Sequence, residues 1–160
     1  MDQKIELKPI GTVRNEMKKH PPASKMGCWA QMVSEIWVDQ EYAEALEGLE
    51  DFSHITVIYW MHRMGPVTSL KRQPLGRADM PQVGLFATRS PRRINPLGIS
   101  VIRLLERQDS RLMVRGLDAL DGSPVIDIKG YSPPLMPHER PRLPMWIRKI
   151  RAEMRAERSG

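Results

Sequence analysis

Short runs of β-branched and aromatic residues recur along this 160-residue chain, with little helical sequence between them. The most apolar run, residues 54–61, reads HITVIYWM and predicts a central strand that is buried on both faces. Further strands are predicted over residues 4–14, 32–38, 83–88, 99–105, 112–116 and 125–128. Because strands outnumber helices and short turns join most of them, the pattern favours an antiparallel sheet or barrel.

Two segments have residues typical of helices, and two have residues typical of loops. In residues 39–50, a capping aspartate precedes apolar residues at helical spacing, and residues 146–158 are dense in Arg, Lys and Glu. Residues 65–83 and 132–144 are rich in proline and predict irregular structure. We therefore expect a mainly β protein with a few helices.

A length of 160 residues fits one domain, which the pattern makes an antiparallel sheet or barrel. A Pro/Arg-rich tail and a C-terminal helix follow over residues 137–160. With 41% hydrophobic residues the chain can bury a core. No G-x-G-x-x-G motif is present, so a Rossmann-type cofactor fold is not expected.

Charge and cysteine content narrow the classes of partner and compartment. A net charge of +6 is compatible with tRNA or another nucleic acid as partner, although many basic proteins bind none. The single cysteine, Cys28, excludes a disulfide within the chain and favours the cytoplasm.

No apolar run approaches the roughly 18 residues of a membrane span. No ligand spacing typical of zinc or calcium occurs, so no metal site is expected.

The first motif comprises residues 84–100, GLFATRSPRRINPLGIS, with three arginines, of which Arg89 is the first, and two prolines. Prolines lower the entropic cost of ordering a loop, and arginine suits bidentate contact with a carboxylate or phosphate. The alternative is a solvated basic turn that pairs with acidic residues elsewhere.

The second motif comprises residues 117–131, LDALDGSPVIDIKGY, where a D-G-S-P turn begins at Asp121. Asp118, Asp127 and Lys129 lie around a short strand. The acidic groups could hold a ribose or a cationic amine. The alternative is a hairpin turn with a structural Asp–Lys pair.

Both motifs resemble hallmark stretches of the TsaA-like (TrmO) family, which read G-V-F-A-T-R-S-P-x-R-P-N-P-I-G-L-S and D-x-L-D-G-T-P-V-L-D-I-K-P-Y. Residues 10–14 and 46–54 extend the resemblance, which covers about residues 7–136. It implies a small antiparallel β-barrel-like domain over residues 4–136, which forms a homodimer with S-adenosylmethionine near the subunit interface. The implied activity is methylation of N6 of N6-threonylcarbamoyladenosine at position 37 of tRNA.

Matched position by position, the resemblance implies a set of cofactor-binding residues: Pro22, Ala23, Ser24, His62, Arg63, Arg89, Ile99, Leu120, Asp121, Gly122, Ser123 and Pro124. The chain departs from the family pattern at Ile94 and Gly130, where the family has proline. In the loop at residues 22–24, where the family has P-R-Q, only the proline matches.

The acceptor nitrogen is a poor nucleophile because its lone pair is delocalised into a carbonyl, so a general base would help. The candidates are Asp127, His62 and Tyr131, with Lys129 as an electrostatic helper. One alternative is a methyltransferase for a small molecule or another RNA, and another is a non-catalytic cofactor-binding sensor. The C-terminal helix could contact tRNA phosphates or form a solvated surface.

Overall fold

The structure is a computed structural model that describes residues 4–22, 25, 27–133 and 141–159. Its strands are β1 (Gly11–Arg14), β2 (Val33–Val38), β3 (His54–Trp60), β4 (Lys71–Arg72), β5 (Val83–Gly84), β6 (Leu97–Gln108), β7 (Arg111–Arg115) and β8 (Pro124–Gly130). The helix α1 spans Met145–Ser159, which confirms the predicted C-terminal helix.

Six of these strands close into an antiparallel barrel in the order β1-β2-β7-β6-β3-β8. Closure is made by β8 and β1, where Gly11 lies opposite Val125 and Thr12 lies opposite Pro124. A closed barrel leaves no unpaired edge, because each strand has a neighbour on both sides. The predicted mainly β, barrel-like fold is confirmed, and the protein is not a Rossmann fold.

Side chains from one face of each barrel strand fill the inside of the barrel and form the core. On β3, Ile55, Val57 and Tyr59 are buried, while the residues between them are half-buried. The prediction that this strand is buried on both faces is therefore wrong. Its outward apolar residues, Ile58 and Trp60, lie on the outer surface of the barrel instead.

The first predicted strand, residues 4–14, is shortened to β1 (Gly11–Arg14). Pairing with β2 begins at Gly11, which lies opposite Val38. A Cβ on Gly11 would lie 2.3 Å from the carbonyl oxygen of Trp37, so this close approach requires glycine.

The predicted helix over residues 39–50 is wrong. The structure has two short 3-10 segments, Gln40–Leu46 and Leu49–Asp51. Gly48 separates them with a left-handed φ of +80°, which a continuous helix cannot contain. The strand predicted over residues 83–88 is likewise shorter, because a 3-10 turn, Leu85–Ala87, follows β5.

The chain forms two compact units. The first contains the barrel and comprises residues 1–67 and 91–131, and the second comprises residues 68–90 and 132–160. The second unit contains β4, β5 and α1, so the predicted proline-rich loop over 65–83 includes a short two-stranded sheet. The predicted domain boundary at residue 137 lies outside the described residues and stays a prediction.

Candidate functional site

Four strand termini meet at one end of the barrel. Because β3 and β8 are antiparallel, the end of β3 lies beside the start of β8. The antiparallel pairings of β8 with β1 and of β3 with β6 bring the end of β1 and the start of β6 to the same place. Polar residues that follow β1 and β3, or precede β8, are thereby brought together although they are distant in sequence.

The turn before β8 contacts the residues after β3. The buried Ser123 hydroxyl lies 3.3 Å from Nδ1 of His62. Gly122 adopts a left-handed φ of +78°, and a Cβ there would lie 3.8 Å from Nε2 of His62. The D-G-S-P turn of the second motif is therefore packed against the histidine rather than standing alone.

His62 is held in one tautomer by its neighbours. Arg63 Nε donates to Nε2 of His62 at 3.3 Å, so the ring proton resides on Nδ1 and is directed to Ser123. Partial burial lowers the pKa of His62, the positive charges of Arg63 and His20 lower it further, and Asp121 acts in the opposite direction. The imidazole is neutral at physiological pH.

Asp121 is the fixed negative charge of the cluster. Lys18 Nζ donates to its Oδ2 at 2.6 Å, and the backbone N–H of Asn15 donates to its Oδ1 at 3.0 Å. These two hydrogen bonds lower the pKa of Asp121, so the carboxylate stays ionised down to acidic pH. Arg63 Nη1 donates to the carbonyl oxygen of Lys18 at 2.6 Å and closes the ring of contacts.

Asn15 joins the end of β1 to the second motif. Its Nδ2 donates to the carbonyl oxygen of Ala119 at 2.9 Å and to Oγ of the buried Ser34 at 3.1 Å. Its Oδ1 accepts from the backbone N–H of Met17 at 2.9 Å. One side chain therefore positions both segments that hold Asp121.

The two motifs meet inside the barrel at Tyr59. The buried Tyr59 hydroxyl donates to Asp118 Oδ1 at 2.8 Å, and Ser100 donates to the same oxygen. Ser100 ends the first motif and Asp118 belongs to the second. A Cβ on Gly98 would lie 2.2–2.6 Å from the Tyr59 ring and hydroxyl, so the glycine of the first motif makes room for this contact.

His20 interacts electrostatically with Asp118 and with His62. Desolvation lowers its pKa, and the charge of Asp118 acts in the opposite direction. The charge of His20 in turn lowers the pKa of His62.

The three residues predicted to be catalytic follow the turn along β8 and beyond. Asp127 pairs with Lys129 at 2.6 Å, and both side chains are substantially exposed. Tyr131 lies seven residues after Pro124, roughly 23 Å along an extended chain at about 3.3 Å per residue. Its ring packs edge-on against His54, near the start of β3 and away from the turn.

The remaining predicted cofactor residues lie in different parts of the chain. Arg89 is exposed and belongs to the second unit. Ile99 lies on β6 and is 49% exposed on the outer surface of the barrel. Pro22 is exposed, and its carbonyl oxygen accepts from the N–H of Lys25. Ala23 and Ser24 lie outside the described residues.

Sequence reasoning did not single out several residues that the barrel end brings together: Asn15, Lys18, Tyr59 and Ser100. The signal that could have found Asn15 and Lys18 is their position just after a predicted strand, at the same end as the turn. No local spacing links them to Asp121, more than 100 residues later.

The part of the chain that the structure describes contains neither a metal-binding cluster nor a membrane-spanning helix. Within it, no group of three or more His, Cys, Asp and Glu side chains could hold a metal ion. Within it, no helix is long and apolar enough to cross a membrane.

The chain is similar to proteins of known name. A family model described as the tRNA-methyltransferase O N-terminal domain matches residues 12–135. An S-adenosyl-L-methionine-binding protein of Archaeoglobus fulgidus is 47% identical over 127 residues, which are 79% of this chain and 89% of the relative.

Two relatives are longer than this chain. The crystal structure of TrmO from P. aeruginosa matches with a TM-score of 0.70 at 29% identity, covering 89% of this chain and 62% of that one. A tRNA (adenine(37)-N6)-methyltransferase of Mus musculus is 34% identical over 87 residues, which are 54% of this chain and 20% of the relative. This chain thus spans less than two thirds of either protein. Because the family model covers nearly the whole barrel, the chain belongs to the family of the tRNA-methyltransferase O (TrmO) N-terminal domain.

Proposed function

We propose that this protein is an S-adenosylmethionine-dependent methyltransferase that acts on N6 of threonylcarbamoyladenosine at position 37 of tRNA. The observation that carries the proposal is the polar cluster at the barrel end, where the turn of the second motif meets His62 and Lys18 in a chain of the TrmO family. The name of the mouse relative supports tRNA as the substrate, and the net charge of +6 is compatible with it.

The residues of the cluster fit the cofactor chemically. The Asp121 carboxylate retains lone pairs beyond its bonds to Lys18 and Asn15, and can accept from ribose hydroxyls or an ammonium group. Neutral His62 places no further positive charge beside a cationic sulfonium. When bound, the cofactor supplies a methyl group on a positively charged sulfur, which is the electrophile of the reaction.

We assign the cofactor to the turn residues Leu120, Asp121, Gly122, Ser123 and Pro124, together with His62 and Arg63. Ser123 and Asn15 hold the turn, so that Asp121 is ordered before any ligand arrives, which lowers the entropic cost of binding. On the family resemblance alone, Arg89, Ile99 and residues 22–24 are also proposed to bind the cofactor, and the Arg89 guanidinium suits a carboxylate.

The acceptor nitrogen must lose its proton as the new bond forms. We propose Asp127 as the general base, because it is the proposed catalytic residue nearest the turn, three residues after Pro124. Its ion pair with Lys129 orients the carboxylate, and the Lys129 ammonium would stabilise a deprotonated acceptor bound beside it. Tyr131 is a weaker candidate for the general base, because it lies much farther along the chain from the turn.

The test is methyl transfer from labelled S-adenosylmethionine to tRNA with and without threonylcarbamoyladenosine. We expect label only in the modified tRNA, in the nucleoside from position 37. Asp127→Asn should bind the cofactor normally and lower turnover by roughly 10²–10⁴-fold. Asp39→Asn, which changes an exposed aspartate elsewhere on the barrel, is the matched control.

Cofactor binding without transfer to either tRNA would refute the proposed substrate. Turnover on another acceptor would then indicate a small-molecule or other RNA methyltransferase. Binding without any turnover would indicate a sensor. The name of the A. fulgidus relative states only that it binds S-adenosylmethionine.

We also propose that the protein is a cytoplasmic homodimer. The supporting observation is an apolar surface on the outside of the barrel, the outer β3–β6 face, formed by Ile58, Trp60, Leu97, Ile99 and Val101. Ile99 and Val101 are each 49% exposed, although both are paired in the middle of a sheet. Contiguous exposed apolar side chains of this kind are typical of subunit interfaces. Ile99 is also a proposed cofactor residue, so the interface would adjoin the cofactor site.

A further inference from the structure

The helix α1 carries a stripe of arginines along one face. Arg148, Arg151 and Arg155 follow one another at spacings of three and four, which place them on the same side of an α-helix. All three side chains are exposed. At about 1.5 Å of rise per residue, the stripe is roughly 10 Å long.

Another side of α1, which begins next to Arg151, is packed. Ile147, Ile150 and Met154 are half-buried, as is Glu153. Glu153 forms an ion pair with Arg77, which also bonds Asp79 at 2.7 Å. This face therefore belongs to the packing of the second unit.

The acids of α1 lie away from the stripe. Lys149, on the flank towards Glu153, bonds Asp79 at 2.7 Å. Glu153 and Glu157 lie roughly 120–180° around the helix from the three arginines at about 100° per residue. The helix thus separates its charges, and its outward stripe is positive.

We propose that the arginine stripe of α1 binds the phosphate backbone of RNA. Arginine presents a planar fork of donors that matches phosphate oxygens bidentately, and rows of arginine on an exposed helix supply the electrostatic part of nucleic-acid affinity. The inference deepens the proposed function by assigning α1 as a tRNA-binding element, and it rests on that function for the identity of the RNA.

An anionic membrane is the other surface that could attract these charges. A helix that lies on a membrane needs large apolar side chains beside its cationic ones. The large apolar residues of α1, Met145 at the first position excepted, are half-buried, and the exposed apolar residues that flank Arg148 are the small Ala152 and Ala156. The composition of the outward face therefore favours RNA.

The test compares R148A/R151A with the full wild-type chain. Alanine is the best helix former, so α1 should keep its structure. The probe is an unmodified tRNA transcript, titrated at several salt concentrations and followed by fluorescence anisotropy. We expect affinity to fall about tenfold or more near 0.1 M salt, and the slope of log K against log [salt] to decrease by roughly two.

The matched control is K4A/K8A, which removes two exposed positive charges from the N-terminal segment. It should change the slope much less than R148A/R151A. Affinity for S-adenosylmethionine, measured by calorimetry, should be the same in both variants and the wild type, because the proposed cofactor residues are untouched.

Equal losses in the two variants, or no loss in R148A/R151A, would overturn the inference. Absence of tRNA binding by the wild type would overturn it as well. Loss of sedimentation with vesicles containing phosphatidylserine, without loss of RNA binding, would assign the stripe to membranes instead. Transcript binding through the stripe with no methyl transfer to modified tRNA would refute the proposed function and leave this inference standing.

Discussion

At the residue scale, His62 is the side chain whose state the barrel end most clearly controls. Burial and the charges of Arg63 and His20 lower its pKa below the ordinary 6.5, and Asp121 opposes this shift. A histidine whose pKa is lowered on folding is less protonated in the folded than in the unfolded chain. Stability therefore falls as the pH drops from about 6.5 towards the lowered pKa, and levels off below it.

Protonation of His62 should weaken cofactor binding, because it adds a positive charge where a sulfonium cation is proposed to bind. We expect affinity for S-adenosylmethionine to be constant above about pH 6.5 and to fall about threefold to tenfold on acidification through the lowered pKa. Calorimetry from pH 7.5 to pH 5 measures this. Asp121 stays ionised throughout, because its pKa is also lowered.

His62→Gln keeps hydrogen-bonding groups near Ser123 and Arg63 and cannot titrate. It should remove most of the pH dependence, whereas His20→Gln should retain it with a somewhat shifted midpoint. The same acid-induced loss in His62→Gln as in the wild type would contradict the assignment of His62 to the site.

At the element scale, alternate residues of β6 face the inside and the outside of the barrel. Gly98 and Ser100 face inward, against Tyr59 and Asp118, while Ile99 and Val101 face outward. Alternation is a property of any strand. The first motif therefore combines a packing role with an exposed apolar surface in consecutive residues.

Gly98→Ala tests the packing of the inward-facing side of β6 against Tyr59. The added methyl group would overlap the buried Tyr59 ring, which cannot move freely because its hydroxyl is bonded to Asp118. We expect the free energy of unfolding to fall by about 1–3 kcal/mol in urea titrations, as is usual for overpacking.

Gly84→Ala is the matched control, because no atom lies within 4 Å of the added Cβ and the glycine is not in a left-handed conformation. Its effect should stay within about 0.5 kcal/mol. Similar losses of stability in the two variants would show that the contact with Tyr59 is not what destabilises Gly98→Ala.

At the scale of the whole molecule, the outer β3–β6 face should decide the oligomeric state. Val101→Glu places a charge in the middle of this face and should convert the proposed homodimer into a folded monomer. Sedimentation velocity at micromolar concentration gives the mass directly. The cost of burying an unpaired carboxylate at an interface is several kcal/mol, enough to abolish a typical dimer.

Val33 offers a close control. It is a valine on β2 that is 47% exposed, against 49% for Val101. Val33→Glu should leave the dimer intact. A wild-type monomer, or dissociation by both variants alike, would refute this face as the interface.

The sequence by itself determined the parts of this protein that local rules govern. Runs of β-branched and aromatic residues located the strands, proline and glycine marked the D-G-S-P turn, and the density of Arg, Lys and Glu in residues 146–158 indicated α1. The two motifs identified the family because their residues match in order along the chain, which requires no knowledge of contacts.

Only the tertiary structure decided which strand termini meet and which side chains face one another. The apolar run of β3 could not reveal that one of its faces lies on the outer surface, because a buried strand and an apolar interface strand have the same composition. Likewise, Asn15 reaches Asp121 across a sequence separation of 106 residues. Closure of the barrel creates that contact, since antiparallel pairing places the end of β1 beside the start of β8, and no local pattern carries this information.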